Sequence, residues 1–317
     1  MPDNLPEALE TTRLNMQRFI DTVLVPLDGQ LETTTKIPLE IQEQVRQASR
    51  AAGFFYRTQP LEFGGNPAGT LELTLLREML AATNTRLASY VFGPGPGLLH
   101  AAEGELRSRY LEPLMRGEKT SAFGFTEPDT APRPTWAVLE GDSLVVSGQK
   151  SYVTGGESCD FVCILVNVEH PDGSRAGTAM VVIDRDAEGV NIDKAFTSME
   201  GGGHVSMVFQ QVPIPVTQVI GKIGEGMPRA LGNIGNVRLM VAAQAMGMCL
   251  WTLEYVEAHL KSPHRSGAPL GDREGVRLRY ADMRIETYVA RSALYRTARL
   301  VESGENSVNE VIATKVF

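Results

Sequence analysis

Cysteine is scarce in this chain of 317 residues, which has only Cys159, Cys163 and Cys249. An odd count without ligand spacing argues against a secreted disulfide framework and against a cysteine-built metal site. Cys159 and Cys163 bracket a strand-like run and would share one sheet face, so reduced core packing is expected of the three. A basic surplus is also missing. The net charge is −8 and the pI about 5.3, which argues against a nucleic-acid or anionic-membrane surface, since both attract a basic face. No run approaches the ~18 apolar residues of a membrane span. The opening MPDNLPEALETT carries no apolar signal core, so a cytoplasmic protein without membrane insertion is expected. Internal repeats and low-complexity stretches are absent. The glycine-rich runs GPGPG (93–97), EGGGH (200–204) and GKIGEG (221–226) lack the glycine spacing of a dinucleotide or P-loop fingerprint.

What remains is an ordinary globular balance, 43% hydrophobic and 21% charged, enough for a large core and more than one domain. Helical spacing occupies the first part of the chain: Leu14, Phe19, Ile20 and Val23, then Ile41, Val45 and Ala48, then Leu71 to Ala82, then Leu98 to Arg116. The loop TQPLEFGGNPAG (58–69) and the run GPGPG break it. From Ser121 to about Lys222 the signals become strands: SLVVS, QKSYVT, DFVCILVNV, TAMVVID and HVSMVFQQV. Asp172-Gly173 and Glu188-Gly189 between them read as hairpin or loop signals. Many short strands favour a barrel or sandwich over a parallel sheet. Helical periodicity returns over roughly 229–261 and 273–303. The expected division is therefore a helical domain at 1–120, a β domain at 121–222 and a helical domain at 223–317.

The stretch 121–156, SAFGFTEPDTAPRPTWAVLEGDSLVVSGQKSYVTGG, stands out as a candidate site because aromatic residues and hydroxyls alternate with turn residues. It belongs to a wider set of elements in consistent order: PLEFGG at 60–65, YLEPLMRGE at 110–118, FTEPD at 125–129, SGQKSYVTGG at 147–156 and FQQVPIP at 209–215. Together they resemble the acyl-CoA dehydrogenase family over nearly the whole chain. The resemblance implies an α+β fold: an N-terminal helical domain, a middle antiparallel β-barrel-like domain and a C-terminal helical bundle, truncated relative to the family. It also implies FAD, an acyl-CoA substrate, an electron-transfer acceptor and a homo- or hetero-oligomer, dimer or tetramer. In the family FAD takes hydride from the β-carbon of a thioester while a glutamate removes the α-proton.

By that resemblance Phe123, Phe125 and Thr126 line the flavin ring, and Tyr152 and Thr154 cover and hydrogen-bond its other edge. A flat ring with polar edge atoms needs apolar faces and a few donors, which these residue types supply. Arg238 matches an arginine that shapes the acyl site. The phosphate-binding arginine of the family falls at Pro263, so Arg265, or less well His264, is expected to replace it; the usual aromatic beside it is Ser266. Pro132 stands where a serine normally contacts substrate and cofactor, and Thr130 or Arg133 is the expected replacement. Gly235 occupies a position that is often aspartate.

The catalytic base is not assigned. Most of the family carries its glutamate beyond the last residue of this sequence, and a minority carries it at the position of Val237. Glu225 and Glu274 are expected to be solvent-facing groups, and His204 a polar histidine at a strand end. The resulting expectation is an acyl-CoA dehydrogenase-like flavoprotein that forms a 2-enoyl-CoA. Its alternatives are a non-catalytic or half-site subunit of a hetero-oligomer, and a flavin oxidase or monooxygenase on the same fold.

Overall fold

A computed structural model describes residues 5–31, 36–198 and 201–317. In chain order it contains helices α1 (Glu7–Phe19), α2 (Val25–Asp28), α3 (Leu39–Ala52), α4 (Thr70–Ala81), α5 (Gly104–Leu106) and α6 (Glu112–Arg116). Strands β1 (Ser121–Gly124), β2 (Trp136–Glu140), β3 (Ser143–Thr154), β4 (Phe161–Glu169), β5 (Arg175–Asp184), β6 (Val190–Ser198), β7 (Gly201–Pro215) and β8 (Val219–Ile220) follow, then helices α7 (Gly226–Lys261), α8 (Glu274–Glu302) and α9 (Val308–Val316). The chain forms two compact units, one of Met1–Gly93 with Gly235–Phe317, the other of Pro94–Ile234.

In the helical unit, α1 passes through a π turn at Ile20–Leu24 into α2. The turn lies just ahead of Pro26, whose ring would clash with the carbonyl four residues back in a regular helix; widening the turn removes the clash. The same device precedes Pro113, with a π turn at Arg107–Leu111. The expected helix Leu98–Arg116 therefore starts only at Gly104, because Ala102 and Glu103 are extended.

Helix α4 is apolar on two sides. Leu76 and Leu80 pack with Met16, Phe19, Leu24 and Val45, while Leu71 and Leu75 pack with Leu239, Ala243 and Met246 of α7 and Leu294 and Tyr295 of α8. Gly247 makes the α4–α7 contact possible: a Cβ there would lie 2.3 Å from the Glu78 carbonyl oxygen. Inside this packing the Glu78 carboxylate accepts from Arg291 Nη2 at 2.6 Å, Arg291 Nε at 2.9 Å and the Tyr295 hydroxyl at 3.0 Å. Helix α7 is long and apolar enough to cross a membrane by length and composition. Cys249 on it is exposed, contrary to the core role expected of it, whereas Cys159 and Cys163 are buried.

The sheet unit corrects the expected middle domain. Its strand order is β6-β7-β3-β2-β4-β5-β8, with β1 beside β4. The sheet is mixed and open, so it is neither purely antiparallel nor closed into a barrel. The cause lies in β4. Its first half pairs in parallel with β1 (Ser121↔Phe161 to Gly124↔Ile164), and its second half pairs in parallel with β2 (Trp136↔Asn167 to Val138↔Glu169). After β1 the chain leaves the sheet and rejoins the same edge of β4 further along. Hairpin signals report only local reversals: Gly141 and Gly173 have positive φ in the β2–β3 and β4–β5 hairpins, whereas Gly189, also at positive φ, joins β5 to β6, which do not pair. The non-local parallel pairs carry no such signal. Strand β4 is buried almost throughout, and its apolar side chains join those of β3, β5 and β7 in one core.

The two predicted strands SLVVS and QKSYVT are one strand, β3, with register shifts against β7 at Val146/Gly148 and Lys150/Val153. Gly148 stays in the strand at φ +136, where a Cβ would come within 2.6 Å of Thr135 Cα.

Candidate functional site

The chain between β1 and β2, residues 125–135, is the loop produced by the two parallel pairings on β4, and it carries the FTEPD element. Four hydrogen bonds fasten it to β3. Ser151 N–H donates to the Thr126 carbonyl at 2.8 Å, and Lys150 Nζ donates to the Phe125 carbonyl at 3.3 Å and to Glu127 Oε1 at 2.7 Å. The Thr135 hydroxyl donates to the Gln149 carbonyl at 3.1 Å. Within the loop, Thr135 N–H donates to Glu127 Oε1 at 2.8 Å. Thr126 thereby lies one hydrogen bond from the residue preceding Tyr152.

The bulge in β3 at Lys150/Val153 sets Tyr152 apart from its neighbours. Its φ is +58, in the left-handed region that disfavours a bulky side chain. It is also 60% exposed, while its ring lies 4.8 Å from the Phe196 ring on β6, with Lys194 Nζ 5.1 Å from the far ring of that stack. An exposed aromatic in a strained backbone gains little for stability, and such outliers cluster where a ligand is held. Thr154 is exposed and pairs across the sheet with His204, which pairs in turn with Phe196. Phe123 and Phe125 are half-buried and stack at 6.2 Å. Among the described residues neither the Thr126 nor the Thr154 hydroxyl has a hydrogen-bond partner.

The structure thus brings Phe123, Phe125, Thr126, Tyr152 and Thr154 together in one unit. It presents aromatic faces and two exposed threonine hydroxyls, residue types that fit a flat ring with polar edges, as in a flavin. Three residues of the cluster were not assigned a role from the sequence. Lys150 and Glu127 are letters of the quoted SGQKSYVTGG and FTEPD motifs, but no role followed from them. Phe196 had no local signal at all, since only the β6–β7–β3 pairing brings it to Tyr152.

The Lys150–Glu127 pair sets the electrostatics. The Lys150 side chain is 2% exposed, and burial lowers its pKa, with Glu127 opposing the shift. Burial pushes the Glu127 carboxyl up, but the Lys150 ammonium and the Thr135 amide outweigh it and leave that carboxyl below its usual value.

Other expected site residues lie elsewhere. Arg133, one of the two replacements expected for the serine at Pro132, pairs with Glu169 and lies over the Trp136 face at 4.3 Å. Arg238 is half-buried on α7 and has no ion pair among the described residues. Arg265 is exposed at the tip of a turn closed by a Pro263–Pro269 bridge and by Gly267 N–H donating to the His264 carbonyl at 2.7 Å. Both arginines belong to the helical unit. Glu225 accepts from Arg229 Nη2 at 2.8 Å, and that hydrogen bond, opposed by burial, holds its carboxyl below the usual range. Glu274 is exposed at the start of α8.

Residues 6–118 match the family model for the acyl-CoA dehydrogenase N-terminal domain, and residues 224–317 match that for the acyl-CoA dehydrogenase C-terminal domain. The chain is 27% identical over 314 residues to a short-chain-specific acyl-CoA dehydrogenase of Clostridium acetobutylicum, an alignment that covers 96% of this chain and 82% of that protein. Its fold is similar to that of a putative acyl-CoA dehydrogenase from Mycobacterium abscessus (TM-score 0.82, 24% identity, 99% of this chain and 88% of that one). It is also similar to that of PigA in its FAD complex (TM-score 0.79, 22% identity, 99% and 84%).

Proposed function

Because the chain belongs to the acyl-CoA dehydrogenase family, we propose that it is an FAD-dependent oxidoreductase that converts an acyl-CoA thioester to its 2-enoyl-CoA and passes the electrons to a separate acceptor. The observation that carries this reading is the set of residues in the sheet unit: a strained, exposed Tyr152, the exposed Thr126 and Thr154, and the Phe123–Phe125 stack. Bound FAD supplies the hydride acceptor for the substrate β-carbon. In this assignment the protein side chains do the positioning. Tyr152 covers one part of the ring and excludes water from it, and the Thr154 hydroxyl donates to its polar edge. The Thr126 carbonyl is occupied by Ser151 N–H, so the Thr126 hydroxyl and amide are what it offers to the ring. Arg238 is assigned to the acyl site, and Arg265 to phosphate through its exposed guanidinium.

The reading is tested by loading the purified chain with FAD and adding an acyl-CoA without oxygen. Flavin absorbance near one equivalent per chain that bleaches on addition supports it, and a chain that takes up no FAD refutes it.

A second reading, a flavin-holding subunit of a hetero-oligomer whose base comes from another chain, is favoured by four substitutions at family site positions. Pro132, Gly235, Pro263 and Ser266 stand where the family usually carries a serine, often an aspartate, an arginine and an aromatic. A base must come within ~3 Å of the proton that it removes. This reading predicts a loaded flavin that stays oxidised with acyl-CoA until the partner chain is added.

A further inference from the structure

We propose that Lys150 and Glu127 are positioning residues for the flavin platform. Their ion pair clasps the 125–135 loop to β3 and so fixes Thr126 relative to Tyr152 and Thr154. The inference rests on the flavin reading above.

The hydrogen bonds close a ring. From β3, Lys150 Nζ reaches Glu127 Oε1 at 2.7 Å and the Phe125 carbonyl at 3.3 Å, while the adjacent Ser151 N–H holds the Thr126 carbonyl at 2.8 Å. Glu127 then takes Thr135 N–H at 2.8 Å, and the Thr135 hydroxyl returns to β3 at the Gln149 carbonyl, 3.1 Å. Both ends of the loop, Thr126 and Thr135, are therefore tied to one strand, at Ser151 and Gln149, on either side of Lys150. Thr126 sits between two carbonyls, its own and that of Phe125, that are each held by a donor from β3.

An ion pair is a poor choice for stability alone. The Lys150 side chain is 2% exposed, and an apolar pair of similar volume commonly stabilises a core as well or better. An apolar pair cannot bond a carboxylate and a main-chain carbonyl in fixed directions at once. Lys150 does both, and it does so two residues before the strained Tyr152. Gly124, at the end of β1, leaves room for this stem: a Cβ there would lie 3.2 Å from Lys150 Cβ and Cγ. The clasp thus joins the two halves of the platform, the Phe125–Thr126 turn and the Tyr152–Thr154 strand end, through the buried Lys150 and the half-buried Glu127.

The test compares the wild-type chain with Glu127→Gln and with Lys150→Met/Glu127→Gln, which leaves no buried charge. FAD is titrated into each apo chain, and the melting temperature of the apo chain, the absorbance maxima of the bound flavin and its midpoint potential are recorded. The double variant is expected to melt close to wild type, to bind FAD at least about tenfold more weakly and to shift the bound spectrum and potential. Wild-type affinity, spectrum and potential in the double variant overturn the proposal. So does an affinity loss that merely tracks a lower melting temperature with an unchanged bound spectrum. If the double variant does not fold, Glu127→Gln decides by the same criteria. A wild-type chain that takes up no FAD instead refutes the flavin reading on which the role depends.

Discussion

Tyr152 offers a test in which stability and function separate. At φ +58 a residue with a Cβ pays about 1–2 kcal/mol that glycine does not, whereas glycine loses about 0.5–1 kcal/mol of extra chain entropy on folding. The Tyr152–Phe196 stack at 4.8 Å, about 0.5–1.5 kcal/mol, is lost alike in Tyr152→Gly and Tyr152→Ala. Their difference therefore isolates the backbone, and Tyr152→Gly is expected to be the more stable by roughly 0.5–1 kcal/mol. In an ordinary strand the order is the reverse. Urea unfolding of the apo chains, compared at equal m-value, measures it. Both variants are expected to lose FAD retention, because both remove the ring. An alanine variant as stable as the glycine variant, or more so, would refute the claim that strain is held at this residue. Undiminished FAD binding in both would remove Tyr152 from the platform.

Thr154→Ala is expected to weaken FAD binding by about tenfold, the worth of one hydrogen bond. It should leave apo stability unchanged, since the hydroxyl has no hydrogen-bond partner among the described residues; equal FAD affinity in a fluorescence titration would exclude Thr154 from the site. Arg291→Met strands the Glu78 carboxylate, whose side chain is 2% exposed, and should cost about 3–5 kcal/mol, most of it recovered by adding Glu78→Leu. Urea unfolding followed by circular dichroism reads both, and a cost under about 1 kcal/mol would contradict the account of that ion pair. Cys163 carries a pH signature, because burial pushes its thiol up to about 12 from an unfolded value of about 8.5. The folded chain keeps a proton that the unfolded chain releases, so stability is full below about pH 8.5 and falls as pH rises. Relative to Cys163→Ala, the wild type should lose about 1 kcal/mol between about pH 8.5 and 9.5. A constant difference across that window would count against a buried thiol.

Local chemistry was legible from the residues alone. Helical spacing located α1, α3, α4, α7 and α8, and Asp172-Gly173 located the β4–β5 reversal, because periodicity and turn preference act over a few residues. The SGQKSYVTGG and FTEPD motifs pointed to Phe125, Thr126, Tyr152 and Thr154 through family resemblance. The tertiary structure decided what depends on distant pairing. Two parallel contacts on one edge of β4 opened the sheet that hairpin signals suggested would close, and they created the 125–135 loop that holds Thr126. Only the fold brings Lys150 to Glu127, and only the fold sets Phe196 against Tyr152 across an intervening strand. Only the backbone shows that Tyr152 occupies a left-handed conformation at a bulge. A single sequence specifies side-chain types and local propensities, whereas a site made of exposed hydroxyls, a strained aromatic and an ion pair on a buried lysine exists only once strands remote in sequence have paired.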